Sequence, residues 1–138
     1  MMGSVMNGPV LVGWSGSAVS DRAVELAAGF AERHGIGLRV VLAWDFLDQP
    51  GPKWDPEISA EKVQTQLEAA VRPVKARHPG VPVVCDAMLG WPPAIVCDAA
   101  ADAGLLVVGR SEKTVGHFGD WSPDVMIRRV KCPIVFVA

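Results

Sequence analysis

The chain has 138 residues and a formal net charge of −2, with half of its residues hydrophobic and a fifth charged. This length suits one domain with its own core, and the composition is that of a globular protein rather than a disordered one. A slightly acidic chain without a cluster of lysine and arginine has no field that attracts nucleic-acid phosphates, so we expect no nucleic-acid partner.

Uncharged segments and cysteines indicate where the protein works. The first twenty residues carry no charge, but glycine, serine, asparagine and proline interrupt them and no basic start precedes them. The next uncharged run, Ala87–Cys97, is far shorter than the roughly 18 residues of a membrane span. Three widely spaced cysteines predict neither a disulfide framework nor a zinc site. We expect a flexible arm over residues 1–8, one domain over 9–138, no membrane segment and a cytoplasmic location.

The first part of the chain predicts a strand, a helix and a second strand. Pro9–Gly13 and Leu38–Trp44 are short apolar runs of the kind that is buried on both faces of a parallel sheet. Between them, apolar residues recur at helical spacing, Ser17 or Ser20 is suited to cap the helix, and Gly35 is suited to end it.

The middle of the chain predicts a long loop, a second helix and a third strand. Asp45–Pro56 holds three prolines and a glycine, which is typical of a loop. Ser59 begins a helix in which Pro73 should kink the last turns. Val81–Met88 is the third strand, and Pro82 places it at an edge of the sheet or at a strand start.

The last third predicts two more helices and two more strands. A turn at residues 90–93 begins a helix that ends near Gly104, and Leu105–Gly109 is a buried strand. Ser122, followed by proline and aspartate, is a strong signal for the start of a helix. Pro133–Val137 is the final strand, and as an apolar strand at the terminus it is expected at an exposed edge of the sheet.

The alternation of strands and helices predicts an α/β fold with an open five-stranded parallel sheet and helices on both of its faces. Ligands of such sheets bind beyond the carboxyl ends of the strands, where the strand order reverses. The segments expected to border a ligand are 13–17, 43–48, 88–92 and 109–122.

Three segments then resemble the universal stress protein family: VLVGWSGSAVSDRAVELAA, GWPPAIVCDAAADAGLLVVG and VMIRRVKCPIVFV. Together with the strand VVLAW they extend the similarity over nearly the whole chain. The resemblance implies a Rossmann-like fold of the adenine nucleotide alpha hydrolase type and ATP binding, which many members show. It also implies a homodimer through the last strand, composed of Pro133, Ile134, Val135, Phe136 and Val137.

The ATP-binding pattern of the family is altered in this chain. That pattern is Gly, two residues, Gly, nine residues, Gly-Ser; Gly109 matches its first glycine, but Glu112 takes the place of the second. Asp120-Trp121 stands at the Gly-Ser pair, and Ser15 replaces the acid that follows strand one in ATP-binding relatives. Two like charges about 4 Å apart repel by about 4 kcal/mol at a dielectric of roughly 20, so Glu112 disfavours phosphate.

The resemblance also supplies the candidate site. Ala43 is small and leaves room for an adenine ring. Four tryptophans map to the rim, where they either line a pocket, fill it or pack separately beneath loops: Trp14, Trp44, Trp91 and Trp121. No set of catalytic or metal-ligating residues is predicted. The expected cleft consists of Gly13, Trp14, Ser15, Ala43, Val108, Gly109, Arg110, Glu112, Asp120, Trp121 and Ser122.

Two functions follow from the sequence. The first is a non-catalytic, dimeric stress-response module that meets a protein partner and binds ATP weakly or not at all. The alternative is a switch that binds ATP with Mg²⁺ through a loop of shifted register between Gly109 and Ser122, where Arg110 and Lys113 would neutralise phosphate. An enzyme acting on a small metabolite is the least supported, because no catalytic group can be named.

Overall fold

The computed structural model describes residues 8–51, 53–110 and 128–138. In these residues the strands form one parallel sheet in the order β3-β2-β1-β4-β5, which confirms the predicted fold class. The elements in chain order are β1 (Val10–Gly13), α1 (Ala18–His34), β2 (Leu38–Trp44), α2 (Ala60–Arg77), β3 (Val83–Leu89), α3 (Pro92–Ala100), β4 (Leu105–Gly109) and β5 (Ile134–Val137).

Local signals set the ends of the first helix. Of the two candidate caps, Ser17 is the one used: its hydroxyl oxygen accepts from the Ser20 backbone N–H at 3.1 Å. At the other end Gly35 adopts a left-handed backbone with φ of 64°, and its N–H bonds to carbonyls of the last turn. A residue with a side chain would be strained there, so glycine ends the helix.

The second helix begins at its predicted cap and runs through an internal proline. The Ser59 side chain accepts from the Lys62 backbone N–H at 3.2 Å. The helix continues past Pro73 to Arg77. The stabilisation from packing its apolar stripe outweighs the loss of the backbone N–H that proline lacks. That stripe is fully or almost fully buried and consists of Val63, Leu67, Val71 and Val74.

Alternate residues of the central strands face two separate cores. On one side, Val10, Val12 and Val107 pack with α1 and α2. On the other side, Leu11 and Leu106 pack with α3 and with Val130. Helices therefore cover both faces of the sheet, and the side to which a strand residue points decides which helices it meets.

The two edge strands differ in what covers their outer backbone groups. The β3 strand begins directly after Pro82 and lies at an edge, as predicted. There the Gln64 side chain of α2 bonds to the strand backbone, donating to the Cys85 carbonyl at 2.7 Å and accepting from the Ala87 N–H at 2.9 Å. A side-chain amide thus occupies backbone groups that another strand would need. The β5 strand lies at the opposite edge.

The remaining boundaries differ slightly from the predicted ones. The third helix ends at Ala100, before the predicted Gly104, since its last turn closes through the Ala101 N–H and the Asp98 carbonyl. Residues 128–129 are helical, whereas the predicted start of that last helix at Ser122 lies outside the described residues. None of the helices among the described residues is long and apolar enough to cross a bilayer.

Candidate ligand site at the carboxyl end of the sheet

The strand order reverses between β1 and β4. The chain leaves β1 towards β2 and β3 and returns to β4 on the other side of β1, where Val12 pairs with Val107. In open parallel sheets a crevice forms beyond the strand ends at such a reversal. The strand ends at this point are Gly13 and Gly109, and both belong to the predicted cleft.

Three predicted site residues lie on the α3 side of the sheet. By strand alternation Gly13 shares a side with Leu11, Ala43 with Val41, and Val108 with Leu106. Gly13, Ala43 and Val108 are each half-buried, and a Cβ built on Gly13 would meet no described atom within 4 Å. We call Gly13, Ala43 and Val108 the small-residue floor. It is apolar and uncharged, which suits a flat ring rather than a phosphate.

Gly109 lies on the opposite side and has a packing role. A Cβ at this position would come within 2.7 Å of the Val19 Cγ1 atom and 3.2 Å of the Val19 backbone carbon and oxygen. A separation of 2.7 Å is shorter than real Cβ atoms show, and 3.2 Å is tighter than nearly all of their contacts. The first glycine of the family pattern is therefore needed here for the contact between α1 and β4, whatever the loop after it binds.

The described tryptophans do not form one cluster at the rim. Trp14 packs against the core on the α1–α2 side, and its indole N–H donates to Asp21 Oδ1 at 2.8 Å. Trp44 is only 2% exposed and belongs to that core, whereas Trp91 is exposed. Trp14 and Trp44 thus pack on the other side of the sheet from the small-residue floor, which supports the alternative of separate packing for these residues. Trp121 lies outside the described residues.

The other predicted site residues follow the strand ends. Ser15 is exposed, and its hydroxyl donates to the Ser17 hydroxyl at 3.2 Å. A hydroxyl, not a carboxylate, therefore follows β1. Arg110 is exposed, and its backbone N–H donates to the Val137 carbonyl at 2.6 Å. The remaining members of the predicted cleft lie outside the described residues: Glu112, Asp120, Trp121 and Ser122.

An ionic cluster between α1 and α2 was missed by the sequence analysis, which assigned no role to His78. His78 ends α2, but its side chain is only 15% exposed and lies between two carboxylates of α1. Its Nε2 atom is 2.5 Å from Glu25 Oε2, and its Nδ1 atom is 3.3 Å from Glu32 Oε1. Arg77 donates from Nε to the other oxygen of Glu25. We call Glu25, Glu32, Arg77 and His78 the interhelical ionic cluster.

The contacts in this cluster shift the pKa of two of its members. The hydrogen bond with Glu25 raises the pKa of His78 against the opposing effect of burial, and Glu32 adds to the rise. Partial burial would raise the pKa of Glu25, but the hydrogen bonds from His78 and Arg77 outweigh it and lower that pKa. These contacts join two helices, and Glu25 and Arg77 are 52 residues apart in the sequence. No local sequence pattern could therefore reveal the cluster.

The described residues contain no assembled metal or thiol chemistry. They hold no group of three or more potential metal ligands. Burial raises the pKa of the Cys85, Cys97 and Cys132 thiols, which makes them poor nucleophiles at neutral pH. In the loop after β2, Asp45 is used locally, since its Oδ1 accepts from the Leu47 and Asp48 N–H groups at 2.8 and 2.7 Å.

The fold places the chain among the α/β proteins with an open parallel sheet whose strand order reverses at the first strand. The profile described as the universal stress protein family matches residues 6–138. The chain therefore belongs to the universal stress protein family.

Similar proteins agree with this family assignment. The chain is 36% identical over 106 residues to universal stress protein Rv2005c of Mycobacterium tuberculosis and to Mb2028c of Mycobacterium bovis. The match covers 73% of this chain and 35% of each relative, so the chain spans about a third of the length of these curated relatives.

Solved structures share the fold at low identity. A universal stress protein in complex with cAMP has a TM-score of 0.68 at 23% identity, over 98% of this chain and 99% of that one. UspA from Lactobacillus plantarum has a TM-score of 0.72 at 18% identity, over 96% and 99% of the two chains. An Archaeoglobus fulgidus protein in complex with dAMP has a TM-score of 0.63 at 19% identity, over 96% and 99%.

Proposed function

We propose that the chain is a non-catalytic, cytoplasmic stress-response module that acts as a homodimer and binds adenine nucleotides less tightly the more phosphate charge they carry. The observation that carries this proposal is the small-residue floor, in a chain whose sequence is altered at the family's phosphate-binding positions. Adenosine would rest on Gly13, Ala43 and Val108, while ATP would meet acids where the family places glycines.

The floor supports the adenine part of the proposal. A ring needs apolar surface and free volume, and Gly13 has open space on its Cβ side among the described residues. Ala43 lies on the same side of the sheet and adds one methyl group. Two fold neighbours were solved with cAMP and dAMP. Each of these ligands has one phosphate, which is consistent with adenine as the recognised part.

The sequence of the following loop supports the charge dependence. Glu112 and Asp120 stand at positions of the phosphate-binding pattern. A carboxylate near phosphate costs about 4 kcal/mol at 4 Å and a dielectric of roughly 20, which corresponds to about three decades in affinity. Each added phosphate increases this repulsion, so ATP is expected to be the weakest ligand of the series.

The test is a calorimetric titration of the full chain with cAMP, AMP and Mg-ATP at one ionic strength. We expect cAMP to bind most tightly and ATP most weakly, and Glu112→Gln to improve ATP more than cAMP. Ala43→Phe should abolish binding of all three, because its ring occupies the floor. Ala76→Phe, at an exposed position of α2, is the matched control. Saturation by micromolar ATP would instead support the nucleotide-dependent switch.

The homodimer part of the proposal rests on the two sheet edges. Gln64 occupies backbone groups of β3, whereas Val135 is 37% exposed on β5, an apolar strand at the other edge of the sheet. An apolar edge strand favours pairing with a second copy. Light scattering after gel filtration should give a dimer for the wild type and a monomer for Val135→Lys. Val84→Lys, on the exposed face of β3, should leave the dimer intact; the opposite pattern would contradict the assignment.

A further inference from the structure

A cleft of about 390 Å³ lies between α1 and α2. Three valines line it but are at most 6% exposed: Val24, Val71 and Val74. The surface that a ligand can reach therefore belongs to the other lining residues, chiefly Trp14, Ala70, Pro73 and Arg77. We propose that this cleft is a second ligand site, which binds a small molecule with a flat apolar body and one negative charge. It lies on the α1–α2 side of the sheet and is thus separate from the small-residue floor.

The indole of Trp14 supplies the aromatic surface. Trp14 is half-buried, and its N–H donates to Asp21 Oδ1 at 2.8 Å, which fixes the orientation of the ring. Because Trp14 has two side-chain torsions, a ring held in this way loses little entropy when a ligand stacks on it. A flat apolar body is therefore the shape that this surface favours.

The guanidinium of Arg77 supplies the charge. Its Nε donates to Glu25, and Glu25 is in turn bonded to His78, which contacts Glu32. The interhelical ionic cluster thus positions Arg77 before any ligand arrives. A guanidinium carries five N–H donors in a fixed fork, so the bond from Nε leaves the terminal N–H groups as donors for a carboxylate or sulfonate.

The acids beside the cleft limit the charge of its ligand. Asp21 also lines the cleft, and Glu25 already neutralises part of the Arg77 charge. A ligand with several negative charges would be repelled by these carboxylates, whereas one anionic group can bond to Arg77. The volume of about 390 Å³ lies within the range of small-molecule sites, roughly 300–1,000 Å³.

The test uses 8-anilinonaphthalene-1-sulfonate, an aromatic monoanion whose fluorescence rises in an apolar site. We expect saturable binding to the folded full chain at a stoichiometry of one per chain. Arg77→Gln should weaken binding at least about tenfold, since it removes a charge-assisted hydrogen bond. Ala70→Phe should abolish binding by filling the cleft without a change of charge. Thermal melting of each variant verifies that it is folded.

Three controls separate this site from others. Arg72→Gln, at an exposed position of the same helix, should leave dye affinity within twofold. Leu47→Ser removes an 88% exposed leucine from the loop after β2 and should also have no effect. Saturating cAMP should not displace the dye. The proposal is overturned if Ala70→Phe and Arg77→Gln bind like the wild type, if Leu47→Ser abolishes binding, or if cAMP competes.

Discussion

Gly13 and Gly109 end neighbouring parallel strands, and in the sequence each follows a run of valine and leucine. Their surroundings are opposite. Gly109 lies against Val19 of α1 with no room for a methyl group, whereas Gly13 has open space on its Cβ side among the described residues. Two glycines at equivalent strand ends thus have different surroundings: one permits a helix to approach the sheet, and the other borders open space among the described residues.

The difference follows from strand alternation. Gly109 shares a side with Leu105 and Val107, which pack with α1 and α2. Gly13 shares a side with Leu11, which packs with α3. Because Val12 pairs with Val107, the two glycines lie near each other at the switch point yet have opposite neighbours. The fold therefore requires glycine at position 109 whether or not the loop that follows it binds a ligand.

The largest expected effect is at Gly109. Gly109→Ala should lower the free energy of unfolding by about 1–3 kcal/mol, because the new methyl group would collide with both the side chain and the backbone of Val19. Urea unfolding followed by circular dichroism measures this loss. The same clash makes bulky substitutions at Gly109 unsuitable as probes of nucleotide binding, since they would disturb α1 first.

A double variant tests the stated cause. Val19→Ala removes the Cγ1 atom that would lie 2.7 Å from the new Cβ at position 109. It leaves the backbone carbon and oxygen of residue 19, each 3.2 Å from that Cβ. In the Gly109→Ala background it should therefore restore part of the lost stability, although alone it destabilises. Additive losses in the double variant would show that Gly109→Ala acts by another route than its contact with Val19.

Features fixed by neighbouring residues were predictable from the sequence, and those fixed across the fold were not. The Ser59 cap and the strands Leu38–Trp44 and Leu105–Gly109 depend on local pattern, and the structure has them as predicted. The packing of Val19 on Gly109 depends on how α1 crosses β4. Likewise, Trp44 was predicted at the rim because it ends a strand. Strand alternation instead directs its side chain into the core between the sheet and α1 and α2.

The next effect concerns the ionic cluster that holds α1 against the end of α2, and thereby supports the position of α1 over Gly109. The pKa of His78 is raised in the folded state, so its contribution is fully present below the unfolded value of about 6.5 and is lost as pH rises through the folded pKa. His78→Gln should therefore cost about 1 kcal/mol at pH 6 and less at pH 9. Urea unfolding at both pH values measures the difference.

A partner variant tests whether the histidine acts through its carboxylates. Glu25→Gln keeps an acceptor oxygen but removes the negative charge that pairs with His78 and Arg77. In that background His78→Gln should cost less at pH 6 than it does in the wild type, since the charge of its main partner is gone. An equal cost in both backgrounds would assign the effect to packing rather than to the ion pair.

The smallest expected effect on stability is at Gly13, and it completes the comparison with Gly109. Gly13→Ala should change the free energy of unfolding by no more than about 0.5 kcal/mol, because its backbone is an ordinary strand and the methyl group meets no described atom within 4 Å. The same methyl group would stand on the small-residue floor, so cAMP affinity should fall although stability does not. Urea unfolding and calorimetry on one preparation measure both quantities. A loss of stability as large as that of Gly109→Ala would mean that the space beside Gly13 is filled in the folded protein, and the floor would then be core rather than a ligand site.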